Sequence, residues 1–232
     1  MKNMLARGGI EFLAVLLGIT GSLFIEDKNN ERELSAQISS SLHALKGELL
    51  TNSKILNNIK DRIPRRLPEL DFVIRADSLH YLSTNELDRY YQTSTTNWGR
   101  KMNDRVFTSM EASGLIYKID SDSLRNGILN LYQTVYGIYH YLIDYDLTHI
   151  QKFDDIILSS DFDLRDDANS NSWQWVMDWS NKDNIKQFNE NKHFRNFLIA
   201  NRANKRLLLM ALPSHIKETD RTIKLINNYI NN

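Results

Sequence analysis

Apolar residues alternate four and three positions apart in the first third of the chain, a spacing typical of one buried helical face. The clearest example runs from residue 31 to residue 63 and predicts a long amphipathic helix. The positions on this seam are Ile38, Leu42, Leu45, Leu49, Asn52, Leu56, Ile59 and Ile63. Pro64 is expected to end the helix, because proline lacks the amide hydrogen that a helix interior requires.

Asn52 is a polar residue on this otherwise apolar seam. A polar side chain at a core position commonly sets the register or the oligomeric state of a coiled coil. The alternative is a hydrogen bond to another helix of the same chain. We prefer a bundle within the chain to a free coiled coil.

Two further long helices are predicted downstream. Residues 121–158 keep the same spacing behind a Ser123 N-cap, and their apolar face comprises Leu124, Ile128, Leu131, Val135, Ile138, Leu142 and Tyr145. Residues 190–230 form the last helix, which Pro213 should kink or divide. A basic turn at residues 64–68, short helices with Asn85 as a cap, and a helix from Asp104 to Gly114 lie between. The expected fold is all-α, with about four long helices and short connecting helices.

Residues 8–25 form an apolar run, GGIEFLAVLLGITGSLFI, which predicts a transmembrane helix continuing into the amphipathic one. The 16 residues from Ile10 to Ile25 span roughly 24 Å as a helix, against about 30 Å for a hydrocarbon core. A signal peptide is one alternative, disfavoured by Glu11 and by the lack of a small-residue cleavage site. A buried helix of a soluble protein is the other.

Charges on either side of the run predict its orientation. Lys2 and Arg7 precede it, whereas acidic residues outweigh basic ones immediately after it. Under the positive-inside rule, residues 1–7 are cytosolic, residues 8–25 cross the bacterial inner membrane once, and residues 26–232 are periplasmic. The lipid bilayer is therefore one expected partner.

Small residues recur on one face of the predicted span, at Ala14, Gly18 and Ser22 with Gly21 beside them. Such a stripe lets helices approach closely in lipid, so it predicts self-association or contact with other membrane proteins. The alternative is that glycine is simply common in membrane spans.

Glu11 is an ionisable residue inside the predicted span. Such residues often serve proton or ion movement. Arg7 lies four residues earlier and can pair with Glu11 on the same helix face, so a structural ion pair is the preferred interpretation.

Trp173, Trp175 and Trp179 crowd a segment that follows an acidic stretch. They are candidates for a partner-binding or membrane-interface patch, and core packing at one end of the bundle is the equal alternative. The acidic stretch, residues 161–171, resembles a calcium loop only loosely, because Arg165 occupies a ligand position and no glutamate closes the pattern. We expect a solvated loop there. Arg202, Lys205 and Arg206 are expected to form a solvated basic face.

Composition narrows the range of functions. Lys and Arg total 29, as do Asp and Glu, so no excess positive charge favours nucleic acid, and none is expected as a partner. The chain has no cysteine. No nucleophile elbow, phosphate-binding loop or His-Glu-x-x-His metal motif occurs, so we expect no catalytic residues, metal or cofactor.

Two stretches resemble a family of bacterial single-pass membrane proteins of unknown function. The first begins GGIEFLAVLLGI and ends IEDKNNERE, and the second is FTSMEASGLIYKIDSDSLRNGILNLY, with Ser113–Gly114 and Leu124–Arg125 at its helix boundaries. The aromatic residue usual after the span is missing here. The resemblance covers about a third of the chain and implies an envelope protein with a helical extracytoplasmic domain.

Taken together, the sequence predicts a non-enzymatic, membrane-anchored bundle that serves as a binding or assembly component of an envelope complex. One alternative is an oligomeric proton or ion path lined by Glu11. Another is an extracytoplasmic ligand sensor, against which the lack of a second apolar run counts.

Overall fold

Three long helices form the centre of the fold in this computed structural model. They are α1 (Lys2–Arg75), the α4–α5 helix, and α7 (Lys192–Ile230). In the second of these, a π-helical turn at Asn130–Val135 joins α4 (Asp122–Leu129) to α5 (Tyr136–Leu158). The shorter elements are α2 (Thr84–Thr95), α3 (Arg105–Ala112), a 3-10 turn (Leu115–Lys118), β1 (Leu164–Arg165), β2 (Val176–Met177) and α6 (Lys182–Glu190). The all-α prediction is confirmed, with three long helices rather than about four.

The structure describes the backbone of residues 2–76, 79–159, 162–165 and 176–231. It describes their side chains except those of residues 2–25, 27, 165 and 176. The side chains of the predicted span are therefore not among those described. This covers the candidate residues within the span, which are Glu11, Ala14, Gly18, Gly21 and Ser22, and also Arg7 just before it. Most of the acidic stretch 161–171 is also outside the described residues, although Phe162 is buried and β1 pairs antiparallel with β2.

Every residue of the predicted α1 seam is buried, but the helix does not end at Pro64. It continues through Pro64 and Pro68 to Arg75, so the predicted basic turn is wrong. Both prolines are exposed, and water can therefore bond the carbonyls that lack an amide partner. Leu70, Val73 and Ile74 are buried on the other side and hold this part of the helix against the bundle.

The α1 segment before the bundle is exposed. Of the side chains described between residues 26 and 37, only Leu34 is partly buried. The backbone of this segment is helical throughout, Asn29 and Asn30 included. We call residues 26–37 the stalk. No helix in the part of the chain with described side chains is apolar and long enough to cross a membrane.

The π-helical turn shifts the buried face of the α4–α5 helix by one residue. Leu124 and Ile128 before the turn, and Leu131 inside it, are buried as predicted. After it, the predicted positions turn outward, and Ile138 and Tyr145 are 53% and 44% exposed. Their successors are buried instead: Tyr136, Tyr139, Ile143 and Asp146. A π-helical turn inserts one residue without breaking the helix, which accounts for this shift.

Helix caps differ from the predicted ones at two places. Ser83, not Asn85, caps α2 and forms a reciprocal capping box with Glu86. Ser121, not Ser123, caps α4. Asp104 precedes α3 as predicted, and Gly114 follows it with a φ of 72°, a conformation that favours glycine. Pro213 does not divide α7.

Candidate functional site

Residues 97–104 form an irregular segment between α2 and α3 that lies against both α1 and α5. We call this segment the strap. It has no regular secondary structure, so its backbone groups need partners from elsewhere. Side chains of the long helices supply these hydrogen-bond partners. Their bonds hold the strap in place.

Asn52 of α1 bonds the strap in both directions. The Asn52 Nδ2 donates to the carbonyl of Asn103, and the Asn103 amide donates to the Asn52 Oδ1. Both hydrogen bonds are 2.8 Å long. The amide of this seam residue is therefore used inside the chain. Glu48, one turn earlier, accepts a hydrogen bond from the Val106 amide at 2.9 Å, in the first turn of α3. This carboxylate supplies the cap that Asp104 does not provide.

Tyr139 and His140 of α5 bond the strap from the other side. The Tyr139 hydroxyl donates to the carbonyl of Arg100 at 2.9 Å, and burial raises the pKa of Tyr139 to about 12. The Met102 amide donates to His140 Nε2 at 3.0 Å. This bond requires an unprotonated Nε2, and burial lowers the pKa of His140, which favours the neutral ring.

Trp98 and Gly99 fix the middle of the strap. The Trp98 side chain is fully buried, and its Nε1 donates to the carbonyl of Thr93 at 3.2 Å. A Cβ atom on Gly99 would lie 1.8 Å from Cδ1 of Ile143, so a larger residue fits there only if the Ile143 side chain shifts. Arg62 of α1 donates a hydrogen bond to the Trp98 carbonyl.

A buried ion pair lies behind the strap. Lys205 of α7 bonds Asp146 of α5, and its Nζ is 5.1 Å from the centre of the Trp98 ring. Burial raises the pKa of Asp146 and lowers that of Lys205, while each charge opposes the shift of the other. Asp146 Oδ1 has no hydrogen-bond partner among the described residues. The expectation that Lys205 belongs to a solvated face is therefore wrong.

Arg202 and Arg206 are also paired rather than simply solvated. Both contact Asp71 of α1, at 2.9 Å and 3.1 Å. Burial of Asp71 opposes its ionisation, but the hydrogen bond from Arg202 and the charge of Arg206 lower its pKa overall. These contacts join α7 to the part of α1 beyond Pro68. The sequence signal that could have found them is the spacing of Arg202 and Arg206, one turn apart on one face.

Trp179 belongs to the core. Its ring centre lies 5.9 Å from that of Tyr91 and 5.3 Å from that of Phe188, and its Nε1 donates to Asp88. Trp179 is buried, so it packs in the core and is not part of an exposed patch. Trp173 and Trp175 lie outside the described residues.

An open groove of about 530 Å³ lies beside the strap. It is lined by Ile55, Asn58, Ile59 and Arg62 of α1 and by Asn97, Gly99 and Arg100 of the strap. Nothing in the described residues forms a cluster of three metal-ligating side chains. The groove offers guanidinium and amide donors over an apolar wall.

Comparison of this chain with family models, with curated proteins and with solved structures finds no match.

Proposed function

We propose that this protein is a membrane-anchored spacer and assembly component of a bacterial envelope complex. Residues 8–25 are the anchor in the inner membrane, and residues 26–232 form the periplasmic bundle. Together the anchor, the stalk and the bundle hold a binding surface at a set distance from the membrane.

The observation that carries this proposal is the exposed stalk. A helical segment in which Leu34 is the one partly buried side chain described gains little from tertiary packing, and a short isolated helix is marginal in water. The stalk is continuous with helix on both sides, and 12 residues extend about 18 Å. An exposed connecting helix of this kind suits a spacer between an anchored segment and a folded domain.

The aromatic cluster around Trp179 supports an arrangement in which the end of the bundle far from the stalk faces the partner. It packs around α6 and the start of α7, where Phe194 meets Phe153 at 5.1 Å. This end lies near the C-terminal part of α1, far along the bundle from the stalk. We propose that Trp173 and Trp175, which lie between β1 and β2 in the sequence, contact the partner.

Membrane fractionation tests the anchor. The full chain, expressed in a bacterium, should stay in the membrane pellet after alkaline carbonate washing, and a chain lacking residues 1–25 should move to the soluble fraction. A protease added to spheroplasts should digest the bundle of the full chain. Recovery of the full chain in the carbonate-soluble fraction, or a protected bundle, would contradict the proposal.

Stoichiometry in mild detergent tests the assembly role. The full chain should migrate as an oligomer or with co-purified membrane proteins, and Gly18→Leu should weaken association because it places a bulky side chain on the small-residue stripe. Thr20→Leu is the control, since helical spacing places Thr20 on the face opposite that stripe. A lone monomer with no co-purifying protein would exclude the assembly role.

A further inference from the structure

The groove beside the strap carries guanidinium groups that form no ion pair within the described part of the chain. Arg62 and Arg66 are four residues apart on α1, where like charges destabilise a helix. Among the described residues, Arg62, Arg66 and Arg100 form no ion pair. Other basic side chains nearby are paired: Arg89 with Glu69, and Lys101 with Asp144.

An acidic residue at position 58 could neutralise Arg62, but that position is occupied by Asn58, which carries an uncharged amide. Asn58 lies four residues before Arg62, the best position for an acidic partner on a helix. Lys205 lies behind the strap, where burial lowers its pKa, the charge of Asp146 opposes that shift, and the charges of Arg62 and Arg66 add to it. Its one carboxylate partner is Asp146. Around the groove, Arg62, Arg66 and Arg100 are therefore three guanidinium groups with no carboxylate partner among the described residues.

The donors at the groove are held in place. One guanidinium nitrogen of Arg62 donates to the Trp98 carbonyl, which fixes the side chain at the edge of the strap and leaves other N–H groups for a ligand. Asn97 Oδ1 accepts a hydrogen bond from the Gly99 amide at 2.7 Å, so its Nδ2 hydrogens remain as donors. Ile55 and Ile59 provide an apolar wall beside them.

We propose that this groove binds a small organic anion through a carboxylate or phosphate group. The oxyanion is held by Arg62 and Arg100, with Asn58 and Asn97 as additional donors, and its apolar part lies on Ile55 and Ile59. Guanidinium groups suit this role because their planar N–H pairs match carboxylate and phosphate oxygens. The inference does not depend on the proposed membrane anchor.

Titration of the full chain in a neutral detergent tests the site. The probes are benzoate, phenyl phosphate and inorganic phosphate, with benzyl alcohol as an uncharged control and sodium chloride at matched ionic strength. Benzoate or phenyl phosphate should raise the melting temperature and give a saturable heat of binding, whereas benzyl alcohol and chloride should not. Whichever of the two binds more tightly identifies the oxyanion.

Three variants separate the site from general charge effects. Arg62→Gln should weaken binding of the better probe about tenfold or more, as expected for loss of a charged hydrogen bond. Asn58→Asp should weaken it similarly while the protein stays folded, because the new carboxylate occupies the site of the anion and pairs with Arg62. Arg65→Gln removes the same charge from an exposed position outside the groove and should leave affinity unchanged.

The proposal fails if neither organic anion binds above the chloride background. It also fails if Arg65→Gln weakens binding as much as Arg62→Gln, since that result would indicate general surface charge. Should Arg62→Gln unfold the protein, Asn58→Asp decides the question, because it removes no native contact seen at that exposed position.

Discussion

Lys205 on α7 and Asp146 on α5 form an ion pair whose side chains are 0% and 4% exposed. The two residues are 59 positions apart in the sequence, and they join two of the three long helices directly behind the strap. Because Asp146 Oδ1 lacks a hydrogen-bond partner among the described residues, the pair is incompletely satisfied. Such pairs add little net stability, but losing one partner leaves the other buried and uncompensated.

We therefore expect Lys205→Met to destabilise the protein by about 3–5 kcal/mol. The double variant Asp146→Leu/Lys205→Met should recover most of this loss, because it removes both buried charges. Urea unfolding with linear extrapolation measures these differences. Lys101→Met is the control, since its 2.8 Å pair with Asp144 is more than half exposed on both sides and should cost at most about 1 kcal/mol. Equal losses in the two single variants would contradict a special role for the buried pair.

Gly99→Ala should destabilise the protein by about 1–3 kcal/mol, as expected for overpacking. The added Cβ would lie 1.8 Å from Ile143 Cδ1, so the Ile143 side chain must leave its packed position or the strap must shift. Combining it with Ile143→Val, which removes that methyl group, should restore part of the stability. Gly137→Ala is the matched control: a Cβ there meets nothing within 4 Å, and alanine in a helix should stabilise by about 0.5–1 kcal/mol. Thermal unfolding of the three variants provides the comparison.

His140 should make the fold less stable in mild acid. Its pKa is lowered from 6.5, chiefly by burial, with Lys101 acting in the same direction and Asp104 and Asp144 opposing it. The unfolded chain therefore takes up a proton below pH 6.5 that the folded chain binds only at lower pH, so stability falls as pH drops through that window.

His140→Gln should remove this dependence while keeping an acceptor for the Met102 amide. The loss of unfolding free energy between about pH 7.5 and about pH 5.5 should be smaller in the variant than in the parent chain. His43→Gln, at an exposed histidine, controls for the substitution itself. An unchanged pH dependence in His140→Gln would show that the ring does not limit acid stability.

Deleting one residue from the π-helical turn should be tolerated. Thr134 is exposed within that turn, and its removal would let the chain form a regular α-helix with the same buried residues on one seam. Deletion of Thr148, exposed in regular α-helix, should instead rotate Phe153 and Ile157 out of the core and cost several kcal/mol. Circular dichroism and urea unfolding distinguish the two. A deletion of Thr134 as damaging as that of Thr148 would contradict the register shift.

Much of the fold followed from local pattern. The seam of α1 was correct at all of its positions, Asn52 included, because helical burial repeats every three to four residues whatever the helix packs against. Gly114 was recognised as a helix end because its left-handed conformation is a local property. The N-cap of α4 was predicted wrongly, because Ser121 and Ser123 are both suitable residues. Only the backbone conformation decides which of them bonds the free amides at the start of the helix.

The candidate site could not be predicted in the same way. Lys205 looked like part of a solvated face, because neither its neighbours nor its spacing indicated a partner 59 residues away. The strap reads as an ordinary loop, and its bonds to Asn52, Tyr139 and His140 come from residues at least 38 positions distant. Pro64 looked like a helix end because proline is unfavourable in a helix, and only packing of the following turns outweighed it.

The sequence by itself determined the helical class, the buried face of α1 and the apolar character of residues 8–25, since each depends on spacing between near neighbours. Tertiary structure decided the register of the α4–α5 helix, the continuation of α1 past Pro64 and the pairing of Lys205 with Asp146. The physical reason is that these features depend on free energies of contact between distant segments, which local pattern does not contain.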